Sequence, residues 1–184
     1  MKKSLVIALG TMVALSSIAG TKPFQASLTP DIALQDRSTT IEGVSIGLWN
    51  ENPGTQWQIG VVNGATGDSK GLQWGLFLPT IFNYAENYTG VQLGLVNYAS
   101  GDFTGLQWGA VNYAKTLTGV QLGLGNCAGT VDGGFQWGVV NYAESANNLL
   151  QLGLVNIIND NKWFSDFPND LAKGMVFVNW SFGD

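Results

Sequence analysis

An eight-residue pattern, Gly-Φ-Gln-Φ-Gly-Φ-Φ-Asn with Φ an apolar residue, recurs eight times along this chain and constrains its fold more than any other feature. The copies begin at Gly43, Gln56, Gly71, Gly90, Gly105, Gly119, Gly134 and Leu149. Their start-to-start gaps are 13, 15, 19, 15, 14, 15 and 15 residues, and the long gap holds an insertion at residues 78–81. Several units end in Asn-Tyr-Ala. Self-similarity at a nearly fixed period predicts one structural element repeated in tandem.

Each unit is predicted to be a β-strand. In residues 89–99 one alternating set is Val91, Leu93, Leu95 and Asn97, and the other is Gly90, Gln92, Gly94, Val96 and Tyr98. This period of two is what a strand presents to its two faces. The two fixed glycines would each cost a helix about 1 kcal/mol. The segments between units, such as residues 100–102 and 129–132, have the composition of turns.

Charge is predicted to be absent from the strands. The charged residues of the repeat region all fall in predicted turns: Glu51, Asp68, Lys70, Glu86, Asp102, Lys115, Asp132 and Glu144. A sheet with one wet face normally carries charged side chains along it, so neither face of this sheet is suited to bulk water.

The residue after Gln alternates between two types, which leaves two folds open. It is Trp at 74, 108 and 137, and Leu at 93, 122 and 152. In an up-and-down meander or small barrel, the tryptophans would gather at one level, as in the aromatic belt of a membrane protein. We therefore predict an all-β fold of tandem 14–15-residue strand repeats of that kind. The alternative is a β-solenoid with about 29 residues and two units per turn, in which the tryptophans stack on one side.

The chain divides into three segments. Residues 1–19 are predicted to be a signal peptide, with Lys2 and Lys3, an apolar run from Ser4 to Leu15, and cleavage after Ala19. Residues 20–40 form an N-terminal segment predicted to hold one edge strand or none. Residues 41–184 form a single β-repeat domain that includes a long loop at 159–173 and a closing strand at 176–182.

Composition argues against an enzyme. The chain has no His, which is the commonest general base and metal ligand, and a net charge of −5 does not attract nucleic acid. The single cysteine, Cys127, is predicted to be a packing residue, because it stands where sister units have Tyr. The repeated Gln and Asn are predicted to form hydrogen-bonded ladders inside the sheet, with glycan or small-ligand recognition as the alternative. We predict no catalytic, cofactor-binding or metal-binding residues.

The units Gly90-Val91-Gln92-Leu93-Gly94-Leu95-Val96-Asn97 and 105–112, with the closing Val178-Asn179-Trp180-Ser181-Phe182, resemble a family of bacterial cell-surface repeat proteins. This family was first described in spirochaetes and also occurs in other Gram-negative bacteria. The resemblance covers residues 41–182 and implies an exported protein of the cell surface or outer membrane. The family has no established activity, so the resemblance implies no functional residues. Some relatives are lipoproteins, but this chain lacks a cysteine after the apolar run.

We therefore predict a non-enzymatic, exported surface or outer-membrane-associated β-repeat protein with a structural role. The alternative is a periplasmic or surface β-solenoid that acts as a binding or adhesion module for glycan or protein ligands. Because the regular residues are assigned to architecture, any specific site is expected in the irregular parts, residues 78–82 and 159–173.

Overall fold

The computed structural model describes residues 20–75, 80–161 and 173–182. The predicted signal peptide, part of the insertion and most of the predicted loop at 159–173 lie outside these residues. The strands are β1 (Lys22–Thr29), β2 (Ile32–Ala33), β3 (Ile41–Asn52), β4 (Thr55–Trp74), β5 (Thr80–Trp108), β6 (Val111–Leu122), β7 (Gly125–Trp137), β8 (Val140–Ala146), β9 (Asn148–Ile158) and β10 (Gly174–Phe182).

The strands wind into a β-solenoid of about nine turns. From β1 through β3 to β9, neighbouring strands pair in parallel, and equivalent residues of successive units face each other. Asn97 pairs with Asn112, for example, and Gln107 with Gln121. The solenoid alternative is thus confirmed, and the up-and-down meander or barrel, which needs antiparallel neighbours, is not what forms. Partners about 15 residues apart also mean one unit per turn, so the predicted turn of two units was wrong.

A bend between the Gln and the Asn of a unit corrects the predicted faces. Gln107 and Asn112 are five residues apart, so strict alternation would place them on opposite faces, yet both are fully buried. The chain leaves strand geometry at Gly109 and Ala110, between β5 and β6, and again at residues 123–124 and 138–139. Each bend resets the alternation, so Gln and Asn both point into the solenoid and the residues between them point outward.

The predicted turns are also different. Seven of the eight charged residues of the repeat region are exposed, but all eight lie within strands as the structure has them. The parallel strands continue through these corners because the backbone there still pairs with the next coil. Glu51 is the exception in exposure, since it is buried.

The interior holds four inward positions per coil, occupied by Gln, Asn, Ala and one larger apolar residue. The alanines stack in a column that includes Ala85, Ala99, Ala114, Ala128 and Ala143. The larger residues are Tyr88, Phe103, Leu117, Val131 and Leu149. The apolar core is therefore a narrow strip along the axis, and buried amides fill the rest of the interior.

Glycine is required where the coils approach most closely. Gly90, Gly105 and Gly119 stack in one column with φ between 134° and 143°, a region that side-chain-bearing residues rarely adopt. A Cβ on Gly105 would also collide with the carbonyl oxygen of Gly90 in the preceding coil. The first glycine of the repeat therefore allows direct backbone stacking between coils.

Antiparallel strands occur at both ends of the solenoid. At the start, β1 pairs with the short β2, so residues 20–40 contain two strands where one edge strand or none was predicted. At the other end, β10 runs antiparallel to β9, which confirms a closing strand at 176–182 with an earlier start at Gly174.

Candidate functional site

The repeated glutamines form a continuous hydrogen-bonded ladder inside the solenoid. Each Nε2 donates to the Oε1 of the Gln one coil earlier, at 2.6–2.8 Å, from Gln73 to Gln151. Several of these Nε2 atoms also donate to a backbone carbonyl six residues later, as Gln107 does to Tyr113 at 3.0 Å. The hydrogen-bonding groups of the glutamine side chains are therefore used by other glutamines and by the backbone.

The asparagines form a second ladder of opposite direction. Each Nδ2 donates to the Oδ1 of the Asn one coil later, at 2.8–3.1 Å, from Asn50 to Asn156. Because donors point toward the C-terminal coils in this ladder and toward the N-terminal coils in the Gln ladder, the two rows of amide dipoles oppose each other along the axis.

These ladders confirm the architectural role predicted for Gln and Asn. Their polar atoms are buried and paired, so the desolvation cost of an interior amide is offset within the fold. Gln151 Oε1, at the last rung of the Gln ladder, has no hydrogen-bond partner among the described residues.

An apolar face covers the outside of the bend between Gln and Asn. We define it by three columns: the Trp/Leu column after Gln, the Leu/Val column at the bend and the Val column before Asn. Its members are Trp74, Leu93, Trp108, Leu122, Trp137 and Leu152; Leu95, Ala110, Leu124, Val139 and Leu154; and Val96, Val111, Gly125, Val140 and Val155. Trp108 and Trp137 are 60% and 61% exposed, and Leu124 is 64% exposed. Such a contiguous exposed apolar surface is unusual for a soluble monomer and marks a contact surface.

The Trp/Leu alternation now has a different meaning from the one predicted. Because one unit makes one turn, Trp108, Leu122, Trp137 and Leu152 are successive neighbours in a single column. The tryptophans are thus spaced two coils apart, with a smaller leucine between them.

A groove runs through the apolar face above the second glycine of the repeat. Its volume is about 620 Å³, and Gly123, Gly138 and Gly153 lie between Trp137 on one side and Leu154 on the other. Phe177 of β10 closes its C-terminal end, is 70% exposed and is the one non-glycine residue of the described chain with positive φ, at 68°. A bulge in the β9–β10 pairing lies at this residue. The strained backbone conformation at Phe177 must be maintained by the surrounding structure, and it places this aromatic side chain at the groove.

The charged residues lie away from the apolar face. Lys115 and Glu144 follow the buried Asn and Ala of their units, and Asp102 and Asp132 precede the buried Gln. The buried Asn and Ala on one side, and the buried Gln on the other, lie between these charged residues and the apolar face. The solenoid is therefore amphipathic around its circumference, with charge on one edge and aliphatic and aromatic side chains on the other.

A polar network that the sequence did not predict lies in the first coils. The buried Glu51 carboxylate forms an ion pair with Arg37 and accepts a hydrogen bond from the Tyr84 hydroxyl. Trp49 Nε1 donates to that hydroxyl at 3.1 Å. Burial, and then the bond to Glu51, raises the pKa of Tyr84, so the hydroxyl stays a donor. One signal for this network was present: Gly64 stands where other units have Tyr.

Cys127 occupies the Tyr column, as predicted, paired with Tyr113 and Tyr142. Burial raises the pKa of its thiol, which keeps the sulfur in its less nucleophilic form. Both observations agree with a packing role.

No protein-family model, curated protein or solved structure matches this chain. The resemblance to the surface repeat family therefore stays a prediction. Within residues 20–75, 80–161 and 173–182, no cluster of three or more His, Cys, Asp or Glu side chains could hold a metal ion. The described part of the chain contains no helix long and apolar enough to cross a membrane.

Proposed function

We propose that this chain is a non-enzymatic, exported β-solenoid that lies side-on against a membrane surface through its apolar face. The observation that carries the proposal is the continuous exposed apolar face, from which charge is excluded. Trp and Tyr side chains, which have an apolar body and a polar group, favour the boundary between lipid and water. The export pattern at residues 1–19 supports a location outside the cytoplasm, at the outer membrane or cell surface.

The energetics favour lipid contact through apolar burial and not through charge. Burying the exposed part of one tryptophan of the face is worth about 2–3 kcal/mol. A net charge of −5 gives no attraction to anionic lipid headgroups. We therefore expect binding to zwitterionic vesicles that depends little on salt.

The test is flotation of the purified chain with phosphatidylcholine vesicles, with the tryptophan emission recorded in parallel. We expect the wild type to float with the vesicles and its emission to shift to shorter wavelength. The double variant Trp108→Glu, Trp137→Glu is expected to stay in the dense fraction, because two charges then lie in the contact surface.

A matched control introduces the same charges elsewhere. Thr89 and Thr118 are exposed, lie two coils apart and are outside the apolar face. The variant Thr89→Glu, Thr118→Glu should float like the wild type, with both double variants first shown to be folded by circular dichroism. If the wild type fails to bind, or both double variants bind equally, the proposal is wrong.

The alternative role as a binding module is supported by a separate observation, an aromatic cleft in the first coils. This cleft is lined by residues that do not belong to the apolar face.

A further inference from the structure

The stacking of the Tyr column does not extend to its first tyrosine, Tyr84. This column runs outside the buried Asn and Ala and includes Tyr84, Tyr98, Tyr113 and Tyr142. The rings of Tyr98 and Tyr113 stack with centroids 5.0 Å apart and an angle of 13° between their planes. Tyr84 is one coil before Tyr98, since Asn83 donates to Asn97 at 2.8 Å. Its ring, however, is turned away from Tyr98 and toward Gly64 in the preceding coil.

Tyr84 turns away because its neighbour in the preceding coil is a glycine. Gly64 pairs with Tyr84, and the Tyr84 ring fills the place that a Cβ on Gly64 would need. In that position the hydroxyl reaches the buried Glu51, and the ring packs on Phe82 with centroids 5.6 Å apart. Three unrepeated residues thus hold Tyr84 toward the N-terminal coils.

The displaced ring leaves an open cleft between Tyr84 and Tyr98. The cleft has a volume of about 470 Å³, within the usual range for small-ligand sites, and Phe82 completes its aromatic wall. Tyr98 is 40% exposed and presents ring surface to this space.

The rim of the cleft is polar. Thr66, Glu86 and Ser100 line it with two hydroxyls and a carboxylate, one from each of three successive coils. Aromatic walls with a few oxygen-bearing groups at the edge are complementary to a ring that has apolar faces and hydroxyls around its circumference.

We propose that this cleft binds a neutral pyranose ring, as a single residue of an oligosaccharide chain. The C–H groups of a sugar face carry partial positive charge and meet the negative face of an aromatic ring, while equatorial hydroxyls reach the rim. The Glu86 carboxylate accepts hydrogen bonds from sugar hydroxyls and repels acidic sugars. Ser100 Oγ donates to the Ala85 carbonyl oxygen at 3.3 Å and can still accept a hydrogen bond, and the Thr66 and Glu86 side chains are exposed at the rim. These groups offer hydrogen-bond partners that sugar hydroxyls use and an apolar aromatic side chain does not, so the rim favours the sugar.

A second segment of the chain has the sequence found at the cleft but does not line it, and it serves as an internal control. Residues 83–86 and 141–144 have the same sequence, Asn-Tyr-Ala-Glu. Tyr142 follows Cys127 in the column, whereas Tyr84 follows Gly64, and the cleft is lined by Tyr84 and not by Tyr142. The two sites therefore separate the effect of the cleft from that of the local sequence.

The experiment titrates the purified chain with maltohexaose, cellohexaose and chitohexaose by calorimetry, with saturation-transfer NMR to map sugar protons. We expect at least one of these neutral oligosaccharides to bind saturably with a Kd of about 1 mM or tighter. Tyr98→Ala and Glu86→Ala should each weaken binding about tenfold or more. Tyr98→Phe, which keeps the ring, should bind like the wild type.

The matched variants Tyr142→Ala and Glu144→Ala should leave binding unchanged. Absence of saturable binding by all three oligosaccharides would overturn the inference. So would an equal loss of affinity in Glu86→Ala and Glu144→Ala, or in Tyr98→Ala and Tyr142→Ala. The inference goes beyond membrane association and uses other residues. The variant Trp108→Glu, Trp137→Glu should therefore still bind sugar, and a negative sugar titration leaves the vesicle result unaffected.

Discussion

The central coils, residues 97–156, and the first coils, residues 41–85, are built from the same repeat but treat buried polar groups differently. In the central coils each Asn and Gln is paired with the same residue of the next coil, and the Asn rungs are uniformly 2.8 Å long. In the first coils the Asn rungs are 3.0 and 3.1 Å long, and the Gln column has Ser45 in place of Gln.

The first coils instead contain partners that occur once. Glu51 is buried with Arg37 and Tyr84, and Gly64 interrupts the Tyr column. Repetition satisfies buried polar groups through identical neighbours in the next coil. An unrepeated residue needs an unrepeated partner, and the resulting irregularity opens a cleft. The four substitutions below examine this difference, in order of decreasing expected effect.

Gly105→Ala is expected to have the largest effect, because the backbones of neighbouring coils are in direct contact at this position. The new Cβ would collide with the Gly90 carbonyl, and a φ of 134° is strained for alanine. We expect a loss of about 2–5 kcal/mol in the free energy of unfolding, measured by urea titration. Gly125→Ala is the control, since no atom lies within 4 Å of its Cβ position, and it should change stability little. Equal effects of the two would show that close approach does not determine the glycine column.

Gln107→Leu tests the ladder of the central coils. The substitution removes the acceptor of Gln121 Nε2 and the donor to Gln92 Oε1. The Tyr113 carbonyl oxygen also loses the Gln107 donor, so three polar atoms lose a partner and we expect a loss of about 2–4 kcal/mol. The same change at Gln151, the terminal rung, removes the donor to Gln136 Oε1 and to the Ile157 carbonyl oxygen but takes no acceptor from another Gln, so it should cost less. If the two variants are equally stable by urea titration, the ladder is not cooperative along the axis.

The ladder was predictable from the sequence, but the direction of the strands was not. Alternation with period two is the same for parallel and antiparallel neighbours, so residues 89–99 could not distinguish a solenoid from a meander. The spacing of five between Gln and Asn held the missing information. Two repeated polar residues at odd spacing can both be buried only if the chain bends between them, and that bend closes the coil.

The candidate sites were predictable only in part. Trp108 and Trp137 were identified from the pattern. Their column advances by one residue per coil, with a leucine between the two tryptophans, and is not a belt on alternate strands. The Glu51 network was not predicted, because Arg37 lies 14 residues away in a segment of mixed composition. Only the folding of residues 20–40 against the first coil brings the two together. Phe82 does lie in the irregular region expected to hold a site.

Glu51→Ala tests the unrepeated partners of the first coils. It leaves the Tyr84 hydroxyl without its carboxylate acceptor and removes the Glu51 ion pair of Arg37, which keeps its longer contact with Asp31 at 4.0 Å. Arg37 is half-exposed and can be hydrated, so the loss comes mainly from Tyr84 and should be about 1–3 kcal/mol. Glu144→Ala, at an exposed position of a central coil, should have almost no effect on the urea midpoint. Sugar binding should weaken in Glu51→Ala alone, because Tyr84 is no longer held away from Tyr98.

Tyr88→Phe is expected to have the smallest effect and the opposite sign. Tyr88 stands at the boundary of the two regions, stacked on Phe103 with centroids 6.1 Å apart, and its buried hydroxyl has no hydrogen-bond partner among the described residues. Removing that hydroxyl eliminates a desolvation cost while the ring contacts remain, so stability should be unchanged or higher by about 1 kcal/mol. Phe103→Leu is the comparison, since it removes ring contacts and should be destabilising. A clear loss of stability in Tyr88→Phe would mean that the hydroxyl is hydrogen-bonded in solution and would contradict this prediction.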